Sequence, residues 1–295
     1  MKFGLVGTGY WAETVHGAVL ASHPGVELTG VWGRDPDKAT KVAASLGTSA
    51  YTDFDRLLGD VEALSFAVAP EAQATLATAA ARAGKHLLLD KPLATSAEEA
   101  DLLVRTVEGA GVSSVVFFTL RFAEVSRTWL EQSKRADWEG GWSRFIVAAF
   151  GEGSPYAASP WRHTKGALWD VGPHALSVLI AALGPITAVS ATGGRGDLVH
   201  LVLEHDGGAT STATLTLDAP EAAITVETAL WGPSGLTTLP SGGGDPKDAY
   251  ATALEELMTN VQVGRRDHPC DVHFGADVVK VLAEAEAQLG ASRPA

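Results

Sequence analysis

The stretch FGLVGTGYWA, residues 3–12, decides the fold. An apolar run passes directly into Gly7-Thr8-Gly9-Tyr10-Trp11-Ala12, which fits G-x-G-x-x-G/A after a strand and at the opening of a helix. In that motif Gly7 permits the tight turn, Gly9 lets the backbone approach a pyrophosphate, and Ala12 keeps helix and sheet close. Three small residues alone also describe a plain tight turn with no ligand. Their place between a first strand and a first helix, with more such units behind them, favours a dinucleotide turn.

Those further units follow at once. Apolar runs at 27–33, 63–69, 86–90 and 112–120 alternate with helical patterns at 10–21, 35–46, 71–83 and 96–109. Short strands separated by helices predict right-handed βαβ crossovers on a parallel sheet, covered on both faces. From about residue 142 the rhythm changes to WSRFIVAAF (142–150), ITAVSATGG (186–194), LVHLVLEHD (198–206), ATSTATLTL (209–217) and AAITVETAL (222–230). No ten-residue helix separates the last four, and turns such as Asp206-Gly207-Gly208 permit antiparallel neighbours. The fold class is therefore α/β and α+β, with a dinucleotide-binding domain over 1–120. A second domain over 121–295 is built on a predominantly antiparallel, open-faced sheet. A loop over 240–248 and amphipathic helices over 249–261 and 271–289 complete it, the last helix packing back on the first domain. The open sheet face predicts a homodimer or homotetramer.

Composition bounds the partners. Of 295 residues, 46% are hydrophobic and 19% charged, and the net charge of −13 disfavours nucleic acid. One cysteine, Cys270, excludes an intrachain disulfide framework. No signal-peptide pattern opens the chain, and no uninterrupted apolar run reaches the roughly 18–20 residues of a membrane span. A soluble, cytoplasmic protein without membrane partners is expected.

The end of the second strand reads Val31-Trp32-Gly33-Arg34-Asp35-Pro36. An acidic side chain there would accept from the ribose hydroxyls of NAD(H). Glycine stands in its place with arginine next, and a guanidinium can hold a 2′-phosphate as a charge-assisted fork, so NADP(H) is favoured over NAD(H). Asp35 remains open as the N-cap of the helix begun by Pro36, or as the ribose acid shifted in register. Asp90-Lys91-Pro92 puts Lys91 at the carboxyl end of a parallel strand, where such sheets bind ligands; a surface lysine is the plain alternative.

GALWDVGPH, residues 166–174, sets Asp170 and His174 four apart before an apolar helix. Pro173 is tolerable only in a first helical turn, so both side chains should emerge near a helix N-terminus, where a histidine tends to stay neutral. Asp170 as a simple N-cap and His174 as a core histidine stand as alternatives. A metal is disfavoured, since no nearby His or Cys completes a ligand set.

Three motifs together, Gly7–Ala12, Ala83-Gly84-Lys85-His86 leading into Asp90-Lys91-Pro92, and Gly166–His174, resemble the glucose-fructose oxidoreductase / inositol dehydrogenase / rhizopine catabolism (Gfo/Idh/MocA) family over essentially the whole chain. The resemblance implies a Rossmann domain, a nicotinamide cofactor, and substrates such as sugars, inositols, nucleotide sugars and some dihydrodiols. The family tripeptide is usually Glu-Lys-Pro, from which Asp90 departs conservatively. Many members also carry a histidine near Gln73, in the turn Ala69-Pro70-Glu71-Ala72-Gln73, and Gln73 cannot supply a proton as histidine can. The family lysine maps onto Lys91 and its aspartate and histidine onto Asp170 and His174, with a Trp-Arg pair matching Trp161-Arg162.

The expected activity is hydride transfer between NADP(H) and a hydroxyl or carbonyl carbon of a sugar, polyol or related cyclic compound. Lys91 and His174 meet at the reacting hydroxyl, and Asp170 orients His174 or binds a neighbouring hydroxyl. Cofactor contacts fall to Gly7, Thr8, Gly9, Tyr10, Trp11, Gly33, Arg34, Asp35, Ala69, Pro70, Gln73, Asp90, Lys91 and Pro92. Substrate contacts fall to Tyr156, Trp161, Arg162, His163, Asp170 and His174, with aromatic faces packing on a sugar ring; Trp161 anchoring a plain loop is the alternative. Reduction of an imine or other non-sugar carbonyl, and a regulatory cofactor-binding protein without catalysis, are the competing functional readings.

Overall fold

The computed structural model describes residues 1–151, 153–242 and 244–291, so that Gly243 of the expected 240–248 loop lies outside the described residues. Two compact units result: Met1–Phe122 with Asp245–Asp277, and Ala123–Gly244 with the chain from Val278 onward.

The first unit is a six-stranded parallel sheet in the order β3-β2-β1-β4-β5-β6. Its strands are β1 (Lys2–Val6), β2 (Glu27–Trp32), β3 (Ser49–Tyr51), β4 (Ala63–Phe66), β5 (His86–Asp90) and β6 (Ser114–Phe117). The order reverses between β1 and β4, the point at which doubly wound sheets bind dinucleotides. Phe3, Leu5, Leu64, Phe66, Leu87, Leu89 and Val115 are fully buried, as strands covered on both faces require. The first helix runs as a π-helical stretch over Ala12–Gly17 and then as α1 over Ala18–Ser22. Around the sheet lie α2 (Pro36–Ser45), α3 (Phe54–Asp60), α4 (Pro70–Arg82), α5 (Ala97–Ala110) and α6 (Thr119–Phe122).

A single division at residue 120 would assign 245–277 to the second domain; the structure groups this segment with the first. Tyr250 gives the physical reason. It projects from a helix over Pro246–Gln262, is wholly buried, and its hydroxyl lies 2.7 Å from Ser65 Oγ on β4. Ser65 Oγ in turn lies 2.9 Å from His16 Nδ1, while the His16 and Tyr250 rings pack 4.3 Å apart, with Phe117 edge-on to both.

The second unit opens with α7 (Glu124–Ser133) and holds a six-stranded sheet in the order β12-β11-β7-β10-β9-β8. These are β7 (Gly140–Ile146), β8 (Ile186–Gly193), β9 (Val199–His205), β10 (Thr210–Thr216), β11 (Thr225–Gly232) and β12 (Gly235–Thr238). Only the β7–β10 pair is parallel, so the sheet is largely antiparallel. Strict alternation shows in β9, where Val199, Leu201, Leu203 and His205 point inward and His200, Val202 and Glu204 outward. The inner face is covered by α8 (Pro160–Asp170) and α9 (Gly172–Leu183), with Leu176 and Leu179 fully buried. The stretch Pro160–Leu183 is long and apolar enough to cross a membrane by length and composition, which apolar-run counting missed. Its apolar window is 72% buried within the protein, the pattern of a core helix.

Complete burial holds His16 neutral and pushes its pKa down to about 3. The unfolded chain takes up this proton at the ordinary 6.5, so stability falls as pH drops from 6.5 towards 3, by ~1.4 kcal/mol per pH unit. His16→Leu should lower stability at neutral pH yet flatten this acid slope by about that amount in urea unfolding between pH 6.5 and 4. An unchanged slope contradicts the assignment.

Candidate active site

The nucleotide turn is built by contact as much as by conformation. Gly7 has φ 137°, and a Cβ there would overlap the Ala67 carbonyl oxygen just beyond β4. Its amide donates to the Trp32 carbonyl at 2.9 Å, tying the turn to the end of β2. A Cβ at Gly9 would meet nothing within 4 Å, so the backbone there borders open space at a helix N-terminus, as a pyrophosphate cradle requires. Tyr10 is 53% exposed beside it, Trp11 is half-buried, and Ala12 is buried with its Cβ within 3.3 Å of a Cβ built at Gly7.

At the end of β2 a Cβ on Gly33 would fall 2.5 Å from Thr8 Cγ2, so Thr8 occupies the space an acid at position 33 would need. Arg34 is exposed. Of the two readings of Asp35, the cap is what the structure shows: its carboxylate accepts from the amides of Asp37 (3.1 Å) and Lys38 (3.2 Å) at the start of α2.

Gln73 departs most from its expected role as a cofactor contact. Ala69 takes the N-cap position of α4 and Pro70 its first residue, which places Gln73 one turn in and buries it. Its Nε2 donates to the carbonyls of Asp90 (2.7 Å), Pro92 (3.0 Å) and Leu93 (3.2 Å), and its Oε1 accepts from the Asp90 amide at 2.9 Å. Every one of these contacts goes to the turn that bears Lys91, whose own amide donates to Asp90 Oδ1 at 2.8 Å. The Lys91–Pro92 peptide is cis, and Lys91 is half-buried at the carboxyl end of β5. Gln73 therefore positions the strand-end turn from within the fold.

In the second unit, Gly166 breaks α8 with φ 61° and ψ −162°, a region essentially reserved for glycine. Beyond the break, Ala167, Leu168 and Trp169 are buried. Asp170 ends α8 and α9 begins at Gly172, with Pro173 second and His174 third. The first-turn placement therefore applies to His174 but not to Asp170. Nor does Asp170 cap α9, whose N-cap position is Val171 without a side-chain bond. Its carboxylate instead accepts from Arg162 Nε at 2.9 Å. His174 is half-buried and stacks on Phe145 of β7 at 5.9 Å.

The expected substrate aromatics are partly spoken for. Arg162 lies over both Tyr156 (4.3 Å) and Trp161 (4.6 Å), which covers one face of each ring, and His163 stacks on Phe150 at 4.2 Å. Sequence reading missed the clamp role of Gln73 and the Arg162–Asp170 pair. The i,i+8 separation of the pair gave no signal, since it needs the Gly166 break between them.

Comparison with known proteins follows the same division. The family model described as "Oxidoreductase family, NAD-binding Rossmann fold" matches residues 1–118, and that of the "GFO/IDH/MocA C-terminal domain" matches 139–236. The D-xylose 1-dehydrogenase (NADP(+)) 2 of Haloferax volcanii is 32% identical over 235 residues, covering 75% of this chain and 71% of that protein. The UDP-N-acetylglucosamine 3-dehydrogenase of Acidithiobacillus ferrooxidans is 33% identical over 104 residues, 35% of this chain and 32% of that one. Among solved structures, GenD2 from gentamicin A biosynthesis, in complex with NAD, superposes with a TM-score of 0.86 at 21% identity, covering 99% of this chain and 95% of that chain.

Replacing the buried Gln73 amide leaves the Asp90 amide and at least one carbonyl without partners. Gln73→Leu should cost roughly 2–4 kcal/mol in urea unfolding, and Gln73→Glu, which turns an acceptor towards three carbonyls, no less. A loss below about 1 kcal/mol for both would show that the turn does not depend on this side chain.

Proposed function

The chain belongs to the Gfo/Idh/MocA family of NAD(P)-dependent oxidoreductases, and we propose that it transfers a hydride between NADP(H) and a hydroxyl-bearing carbon of a sugar, polyol or related cyclic compound. The observation that carries the reading is the Gln73-held turn, which presents Lys91 at the carboxyl end of β5 in the same unit as the Gly7 turn. A D-xylose 1-dehydrogenase (NADP(+)) among the relatives supports both the cofactor and the substrate class.

Gly7, Thr8, Gly9, Tyr10 and Trp11 would hold the pyrophosphate side, and Arg34 would fork onto the 2′-phosphate. The engagement of Asp35 Oδ1 in capping α2 and the filling of the Gly33 position by Thr8 support NADP(H) over NAD(H), because the first holds that carboxylate at the start of α2 and the second leaves no room for an acid at position 33. When bound, the oxidised nicotinamide supplies the hydride acceptor. Lys91 donates to the reacting oxygen and steadies the charge that develops as its proton leaves. His174 takes that proton, so the alcohol loses a hydride from carbon and a proton from oxygen and becomes a carbonyl; the reverse reaction returns both. Asp170, bonded by Arg162 at the entry to the His174 helix, orients His174 or binds a neighbouring hydroxyl of the substrate.

The outward face of the second sheet is the proposed homodimer surface. It carries Trp231, Leu236 and Val202, exposed at 42%, 64% and 50%, among the threonines of β10. Its charges are partly neutralised, with Arg144 3.7 Å from Glu227 and over Trp142. Such a neutral, aromatic-bearing face suits burial against a copy of itself. A cytoplasmic setting accords with the single, buried thiol of Cys270.

Fluorescence titration should show NADPH binding tighter than NADH, and Arg34→Ala should weaken NADPH by roughly 10- to 100-fold while sparing NADH. His174→Ala should keep NADPH binding and lower kcat by about 10²- to 10⁴-fold. Tighter NADH binding overturns the cofactor assignment, and full turnover by His174→Ala overturns the proton-transfer role.

A further inference from the structure

The side chains around the 156–170 segment have a property that the hydride-transfer reading does not use: their cations are already matched to anions within the unit. Arg162 bonds Asp170 through Nε at 2.9 Å with the two side chains 19% and 10% exposed, and it reaches Ser159 Oγ through Nη1 at 3.3 Å. Its guanidinium also lies over the Tyr156 ring at 4.3 Å and the Trp161 ring at 4.6 Å. Lys165 is held by Glu286 at 2.9 and 3.1 Å and lies 4.8 Å from the centre of the Trp169 ring. The remaining basic group, His163, meets the Ala157 carbonyl at 2.8 Å through Nε2.

We propose that the substrate is an uncharged polyhydroxy compound, and that the Arg162–Asp170 pair reads its hydroxyls and disfavours a phosphate, sulfate or carboxylate group. This rests on the sugar-oxidoreductase reading above and narrows it. An anionic group reaching Arg162 has to share that cation with Asp170, and two anions on one partly buried cation repel. A hydroxyl meets no such opposition: it can accept from a remaining Arg162 N–H and donate to the Asp170 carboxylate, and both bonds are charge-assisted. The overall charge of −13 acts in the same direction at longer range.

The test loads the full chain with NADP+ and reads ligand binding from tryptophan fluorescence. The probes are D-xylose, D-glucose and myo-inositol, each beside its own phosphate ester. At least one parent compound should bind about tenfold tighter than its ester, and no ester tighter than its parent. Asp170→Asn, which removes the competing anion, should raise ester affinity about tenfold relative to the parent. Should that variant fail to fold, Glu286→Gln releases Lys165 and predicts the same direction of change. Esters that bind as well as their parents in the wild type, or an ester affinity unmoved by the variants, overturn the proposal. Selective binding of the parents without NADPH formation from any of them refutes the hydride-transfer reading and leaves the charge selectivity standing.

Discussion

Position 7 tolerates no side chain, because the Ala67 carbonyl oxygen lies where a Cβ would be, and the geometry of the first unit follows from that contact. The Gly7 amide donates to Trp32 at the end of β2, and the Ala67 amide donates to Val6 at the end of β1. Three strand ends are thereby tied at the point where the sheet order reverses. Three residues beyond Ala67, Pro70 starts α4, and one turn later Gln73 reaches the Asp90–Leu93 turn. A contact between two backbones at the nucleotide turn is thus linked, through one short helix start, to the placement of Lys91.

The second unit solves a comparable problem with a break in a helix. Without Gly166, a regular helix would carry Arg162 and Asp170, eight residues apart, to levels separated by more than two turns, about 12 Å along the axis. The left-handed glycine folds the chain so that Arg162 Nε meets Asp170 Oδ2. The same kink lets Leu168 and Trp169 bury while α9 starts again at Gly172, tight against Leu215 and Leu282. His174 therefore leaves the core within the first turn of a helix whose remaining residues are mostly apolar and buried.

How much of this was legible in the residues depended on how local the cause was. Alternation of apolar runs and helical patterns gave the parallel sheet, because strand and helix periods are set within a few residues. The short strands β3 and β12 escaped notice, since three or four residues carry no pattern. The tight turn at Gly7, the strand-end place of Lys91 and the first-turn place of His174 were legible from motif and context. The role of Gln73 was not, because its partners lie 17 to 20 residues away and are backbone atoms, which no side-chain pattern announces. Asp170 was misplaced for the opposite reason: Pro173 signals a helix start, yet Val171 separates that start from the helix Asp170 ends. The return of 245–277 to the first unit depends on Tyr250 meeting Ser65 and His16, a contact 185 residues distant in the chain.

The central claim is that hydrogen passes directly from a sugar carbon to the nicotinamide. Incubation with NADP+ and carbon-perdeuterated D-glucose or D-xylose, followed by mass spectrometry of the reduced cofactor, tests it most directly. The account predicts NADPH heavier by one deuterium, with the label at the nicotinamide C4. Reduced cofactor formed without deuterium, or no reduction across deuterated neutral sugars and polyols, would contradict it.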